Sequence, residues 1–287
     1  MSFTTDVPQA TLNTGARIPQ LGFGVFQIPP EQTAEAASTA LAAGYRSIDT
    51  AAMYGNEAEV GEAIRASGID RDEVFVTTKL GNEVHGRDAA PNAFKQSLER
   101  LGLDFVDLYL IHWPLPMQDR YVETWKALEE VHADGRARAI GVSNFQIPHL
   151  YALLEQSETV PAVNQIELHP GFSQPELREF HAQHGIATEG WSPLAQGGGD
   201  RLDGTRNLDD ERITAIADAH GRTAAQVTLR WHLQLGNVVI PKSVTPQRIE
   251  ENIAVTDFEL TEAEMEQIGR LDDEGGRIGP DPDSFGG

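Results

Sequence analysis

The sequence predicts an α/β fold, a (β/α)₈ TIM barrel in one domain spanning residues 1–287, and three observations carry that expectation. Short apolar runs alternate with helical patterns about eight times along the chain. Most runs are apolar on both alternating faces, as strands of a parallel sheet covered by helices must be. The length of 287 residues also suits a fold whose usual size is roughly 250. The alternation alone leaves a doubly wound open sheet open as well.

Residues 7–12 and 17–19 flank Asn13-Thr14-Gly15, a turn sequence, and predict an N-terminal β-hairpin ahead of the barrel. The barrel strands are expected at residues 18–25, 45–48, 74–77, 106–111, 137–142, 162–166, 186–189 and 238–240. Helices are expected at 31–43, 58–67, 92–101, 121–133, 147–155, 175–184, 223–234 and 246–254. Pro30 enters the first; Gly44, Gly68 and Gly102 close three in succession; Thr245-Pro246 opens the last. Two extra helices fall outside the repeat, at 208–220 and 261–270, the second opened by a Thr261 to Glu264 capping box. Residues 272–287, rich in Gly, Pro and Asp, read as a C-terminal tail or lid without a core of its own.

Acidic residues number 44 and basic ones 22, a net charge of −22 that repels nucleic acid and anionic membrane surfaces alike. The excess reads as solubility, with a high-salt host as the alternative. Lysine is rare, confined to Lys79, Lys95, Lys126 and Lys242, so a lysine inside a motif carries weight. The absence of cysteine excludes disulfides, thiol nucleophiles, zinc ribbons and iron–sulfur ligation. The amino terminus lacks a basic stretch followed by an apolar run, and no segment approaches the roughly 18 apolar residues of a membrane span. A cytoplasmic, monomeric protein that meets neither membrane nor nucleic acid is expected.

A barrel presents its reactive groups at the carboxyl ends of its strands. Three consecutive runs end in ionisable groups there: Asp49, Lys79 and His112. Tyr54 lies in the loop after Asp49, near enough to join them. A buried lysine beside a phenol favours the phenolate, so Tyr54 is expected to have its pKa lowered from the ordinary value near 10. Taken singly, an Asp–Lys pair is more often a salt bridge and a lone histidine a core residue; their convergence points to chemistry.

These residues sit in recognisable company. Residues 44–51, Tyr54-Gly55-Asn56-Glu57, Thr78-Lys79, residues 110–114, residues 141–145, residues 164–167 and Ile240-Pro241-Lys242-Ser243 together resemble the signatures of the aldo-keto reductase family, in that family's order along nearly the whole chain. Within the family the likeness is nearest to bacterial 2,5-diketo-D-gluconate reductases and related small-carbonyl reductases. The resemblance implies a tetrad of Asp49, Tyr54, Lys79 and His112, with a reduced nicotinamide giving hydride to a carbonyl carbon and Tyr54 giving the proton. It implies small aldehydes, ketones or diketones as substrates, including α-ketoaldehydes and diketo-sugar acids, in a pocket lined by Phe26, Trp113, Tyr54 and His112. Trp191 also walls that pocket. Gly81, where many relatives carry tryptophan, is a departure that implies a wider pocket. Arg277 in the tail is a candidate anchor for an anionic substrate.

No dinucleotide fingerprint is present: Gly22-Phe23-Gly24 lacks a third glycine and opens no helix, and reads as a close-packed first strand. Lys242, Ser243 and Arg248 instead bracket the start of the last barrel helix, where they and the helix's positive end suit a phosphate. The resemblance assigns Lys242, Ser243, Val244, Thr245 and Arg248 to the 2′-phosphate of NADPH, with NADH weaker, and Asn252 to the adenine. It assigns Ser143, Asn144 and Gln165 to the nicotinamide carboxamide, whose donors and acceptors they match. Trp191 takes the place of an aromatic, usually tyrosine, that stacks on the nicotinamide, and Ser192, Leu194, Gln196 and Gly197 follow the pyrophosphate. Two other readings compete. One is an NADPH-binding regulatory or structural module on the same scaffold, which a missing tetrad member would favour. The other is a metal-dependent hydrolase using His112 and His169; it needs several inward ligands, and His169 stands before Pro170 in a loop, so no metal is expected.

Overall fold

The computed structural model describes residues 7–195, 207–274 and 276–287. Strands β1 (Gln9–Thr11) and β2 (Arg17–Pro19) pair antiparallel as the expected hairpin. The run 18–25 is therefore divided: its start belongs to the hairpin, and only β3 (Phe23–Gly24) joins the barrel. Then follow β4 (Ser47–Asp49), β5 (Phe75–Leu80), β6 (Val106–Ile111), β7 (Ala137–Ser143), β8 (Val163–Glu167), β9 (Ala187–Trp191) and β10 (Val238–Val239). These strands form one sheet of eight, each parallel to its neighbour in chain order.

The first and last strands meet through backbone hydrogen bonds. Gly22 N donates to Val239 O at 2.8 Å, Val239 N to Gln20 O at 2.8 Å and Gly24 N to Pro241 O at 3.1 Å. A Cβ on Gly24 would stand 2.8 Å from the Ile240 carbonyl oxygen, so this seam requires glycine, in keeping with a close-packed first strand.

The helices are α1 (Pro30–Ala43), α2 (Glu57–Ala66), α3 (Ala89–Leu101), α4 (Tyr121–Ala133), α5 (Ile147–Gln156), α6 (Pro175–His184), α7 (Glu211–His220), α8 (Ala224–Gln234), α9 (Pro246–Ile253) and α10 (Glu262–Gly269). Helix α3 starts earlier than its sequence suggests, because Pro91 is tolerated in a first turn, where a backbone N–H has no helical partner. Helix α7 starts later: Asp210 accepts from Arg212 N as its cap, and Asn207–Asp209 form a separate turn. The Thr261–Glu264 capping box forms as expected. No helix among the described residues is long and apolar enough to cross a membrane.

Side chains facing out from the sheet, such as Tyr109 and Ile111, pack under the helices in the main core. Those facing in, Leu108, Leu110 and Ala139, join Leu12 and Ile18 of the hairpin in a second cluster that plugs the amino-terminal end of the barrel. The additions α7 and α10 bury Ile213, Ile216 and Ile268 against Val227 and Trp231 of α8, apart from the barrel. With one end plugged, the polar strand ends open only at the other.

Candidate active site

Strand β4 delivers Asp49 to the open rim, and a short helical turn, Ala52–Tyr54, brings Tyr54 back over it. Strand β5 delivers Lys79, and His112 follows β6 directly. Lys79 Nζ donates to Asp49 Oδ1 at 2.6 Å, to the Thr50 carbonyl at 3.0 Å and to the Tyr54 hydroxyl at 3.3 Å. The Tyr54 and His112 rings meet edge-on with centroids 5.7 Å apart. Lys79 is fully buried and Asp49 is 2% exposed, so the ion pair acts in a poorly solvated setting.

Burial favours the neutral forms of both Lys79 and Tyr54. For Lys79 it is outweighed by the Asp49 carboxylate, and the ammonium is held above its ordinary range. For Tyr54 burial wins: its pKa is raised, with Lys79 opposing and the Asp49 and Glu189 carboxylates adding to the rise. The expected lowering of Tyr54 is thus corrected, because desolvation of the phenolate exceeds the pull of the single cation. His112 is held well below its ordinary range by burial and by Lys79, so its ring is neutral, and its Nδ1 has no partner among the described residues. The corner therefore presents a phenol and a neutral imidazole, with a cation behind the phenol.

These groups open into a cavity of about 660 Å³, within the range of small-molecule sites. Phe26, Trp113 and Trp191 border it, with Phe26 54% exposed. Two departures concern substrate. Gly81 does not border the cavity, and the Glu83 carboxylate fills the space beside it, so the missing side chain does not widen the pocket. Arg277 lies over the Phe172 ring at 4.6 Å and does not border the cavity either.

Along the cavity, Ser143, Asn144 and Gln165 lie at the ends of β7 and β8, and Ser192 and Leu194 follow β9. Asn144 and Ser192 adopt left-handed backbone angles, φ 64° and 49°, a cost that functional sites commonly hold. Trp191 Nε1 donates to Asn144 Oδ1 at 2.8 Å, while Asn144 Nδ2 donates to the His112 carbonyl and to Ser143 Oγ, both at 3.0 Å. Gln165 Nε2 donates to Asp49 Oδ2 at 2.8 Å and to Glu189 Oε2 at 2.9 Å.

At the far end the cavity is bordered by Lys242, Ser243, Val244, Thr245 and Arg248. Neither Lys242 nor Arg248 has an ion-pair partner among the described residues. In so acidic a chain, two unpaired cations beside a hydroxyl make a donor set that fits a phosphate. Asn252 is buried on α9 and does not border the cavity. Gln196 and Gly197 lie outside the described residues. His169 is committed to structure, its Nε2 3.1 Å from Glu167 Oε1 and its Nδ1 3.1 Å from Asn207 Nδ2. Among the described residues no group of three or more His, Asp or Glu side chains is arranged to hold a metal ion.

Two features escape sequence reading. Ile278, Gly279, Pro280 and Phe285 of the tail border the cavity, and the Phe285 ring packs on Trp113 at 4.4 Å. The tail is held by Glu167, whose Oε2 accepts from Gly279 N at 2.8 Å. Phe285 is the sole aromatic residue of the tail, the one signal that could have marked it. The other is Glu189, buried completely beneath Gln165.

The model of the aldo/keto reductase family matches residues 20–273. The chain is 54% identical to the morphine 6-dehydrogenase of Pseudomonas putida over 96% of its length and 94% of that protein. It is 50% identical to the methylglyoxal reductase DkgA of Escherichia coli over 96% and 97%. Its fold matches the crystal structure of a Gox0644 mutant in complex with NADPH with a TM-score of 0.91 and 47% identity, covering 97% of this chain and 98% of that one.

Proposed function

This chain belongs to the aldo/keto reductase family, and from that premise we propose that it is an NADPH-dependent reductase of small aldehydes, ketones and diketones. The observation that carries the reading is the convergence of Tyr54, Lys79, Asp49 and His112 in one corner of a cavity that also reaches the unpaired Lys242 and Arg248. When bound, the reduced nicotinamide supplies a hydride. Lys242, Ser243 and Arg248 hold the 2′-phosphate and Gln165 takes the carboxamide through its Oε1. Ser143 and Asn144 would hold the carboxamide together with Gln165, and Trp191, whose indole donates to Asn144 Oδ1, would wall the nicotinamide end. Val244 and Thr245 would border the phosphate, Asn252 would support α9 beneath the adenine end, and Ser192 and Leu194 would line the pyrophosphate.

The neutral His112 ring orients the carbonyl oxygen toward Tyr54. As the carbonyl carbon gains hydride, its π electron pair moves onto oxygen, and the Tyr54 O–H bond breaks to give that oxygen its proton. The phenolate left behind faces Lys79, so the cation stabilises charge that exists only once the proton has begun to move. Asp49 keeps Lys79 charged and in place. All four members are present, so the absence that would have favoured the regulatory-module alternative is not found.

The substrate wall of Phe26, Trp113 and Phe285 suits compact carbonyls, and the relatives named for methylglyoxal and for morphine point to α-ketoaldehydes and to alcohol–ketone pairs as first candidates. The protein acts on small molecules as a monomer in the cytoplasm. The test follows NADPH absorbance against aldehydes, α-ketoaldehydes and diketo-sugar acids, with Tyr54→Phe in parallel. Carbonyl-dependent oxidation that disappears in the variant supports the reading; NADPH binding without turnover of any carbonyl in the wild type overturns it.

A further inference from the structure

One ionisable group near the rim has no place in that mechanism. Glu189, on β9, points into the barrel, is fully buried and does not border the cavity. Its Oε2 accepts from Gln165 Nε2, and its Oε1 has no partner among the described residues. A solitary carboxyl in such a place is costly, and structural stability alone does not call for it. Its connections lead to the chemistry: the hydrogen bonds run without a break from Glu189 to Gln165, Asp49, Lys79 and the Tyr54 hydroxyl.

We propose that Glu189 is a positioning residue for carbonyl reduction, fixing the Gln165 amide from behind and anchoring the hydrogen-bonded chain that ends at the Tyr54 hydroxyl. An ionised carboxylate can only accept hydrogen bonds. While Asp49 and Glu189 are both ionised, the Gln165 amide nitrogen faces inward with both hydrogens committed, and its oxygen is left for the cavity. The Glu189 charge also opposes loss of the Tyr54 proton and reinforces the charge on Lys79.

The groups acting on Glu189 are Asp49 on β4 and Lys79 on β5, with Tyr54 reached through Lys79; Gln165 on β8 is its neutral donor. Burial and the Asp49 charge raise the Glu189 carboxyl to about 7. The carboxyl therefore changes charge near neutrality, and with it the donor demand on Gln165 and the field at Tyr54.

The inference rests on Tyr54 as the proton donor, and Glu189→Gln tests it with measurements that include the protein free of cofactor. Phenolate formation is followed by ultraviolet absorbance against pH, with Tyr54→Phe marking which signal is Tyr54. The variant is expected to form the Tyr54 phenolate at lower pH than the wild type, and the alkaline limb of kcat/KM for reduction is expected to move the same way. The variant should also melt higher than the wild type at pH 8, with little difference at pH 5. The sign follows from linkage: a carboxyl raised by burial favours folding while protonated, and that contribution is lost as pH rises from the unfolded value toward about 7. A variant that does not fold, or whose Tyr54 titration and pH profile superimpose on the wild type, overturns the inference. An inactive wild type would instead sink the proposed function, and the phenolate titration would still decide the role of Glu189.

Discussion

Replacing Arg248 with alanine tests the phosphate site, because this cation has no acidic partner among the described residues whose release would confuse the result. Hydrogen bonds to a charged group contribute about 1.5–3 kcal/mol. Arg248 is exposed at the mouth of α9, so solvent screening holds its share near the lower bound, about 1.4 kcal/mol or tenfold in Kd. Arg248→Ala should therefore raise the Kd for NADPH about tenfold while moving NADH less than about twofold, since only NADPH carries the 2′-phosphate. Adding Lys242→Ala should weaken NADPH further, but by less than a second independent tenfold, because both cations address one phosphate. Binding can be titrated through the tryptophan emission, with Trp191 bordering the cavity. The gap between the cofactors should narrow as salt rises, with the Debye length falling from about 10 Å at 0.1 M to about 3 Å at 1 M. Equal losses for NADPH and NADH, or a gap indifferent to salt, would place the 2′-phosphate elsewhere.

Tyr54→Phe should lower carbonyl reduction by about 10²- to 10⁴-fold, the usual reach of a positioned proton donor, while leaving NADPH affinity nearly intact; substantial residual turnover would reassign the donor. Because burial raises Tyr54 and the net effect of its neighbours does not reverse this, the acid form persists past the ordinary phenol range. Reduction should thus lose activity only at strongly alkaline pH, and an alkaline limb near pH 8 in kcat/KM would contradict that assignment. The neutral His112 adds no limb in the histidine range, since its protonation lies well below the ordinary value. Phe285→Ala removes a ring packed 4.4 Å from Trp113, and at about 0.5–1.5 kcal/mol for such a pair the KM for small aldehydes should rise two- to twelvefold. Unchanged steady-state constants would mean that the tail is not part of the substrate wall.

What could be read from the sequence was what is local and periodic. The strands carrying Asp49, Lys79 and His112 show themselves as apolar runs with polar ends, and α4 and α6 keep their expected bounds because their turns and caps lie in the adjoining residues. Short strands at the seam were harder. In the run 18–25 one stretch of apolar residues serves two sheets, and only the pairing of Arg17–Pro19 with Gln9–Thr11 shows where it divides. The tail could be recognised as a tail, but its place over Trp113 depends on the distant Glu167 accepting backbone N–H groups, a contact with no periodic trace. Glu189 was hidden for a related reason. A glutamate closing an apolar run looks like a solvated strand end, and its burial follows from the barrel closing around it.

The Tyr54 result also constrains how the site works. Nearness of Lys79 suggests an acidified phenol, but nearness is one influence among several: the enclosure that strengthens the cation's pull also removes water from the phenolate, and two carboxylates stand behind the cation. The resting tyrosine therefore holds its proton, as a donor in reduction must. In the proposed mechanism Lys79 contributes only when the proton moves, because the charge on the phenolate does not exist earlier. The same enclosure keeps His112 neutral, so the carbonyl oxygen meets hydrogen-bonding groups and no free cation. A substrate carboxylate would accordingly find little direct attraction at this corner. Recognition of a keto-acid would have to come from outside it, at the mouth bordered by Phe26 or along the tail, and not from the residues proposed to transfer the proton.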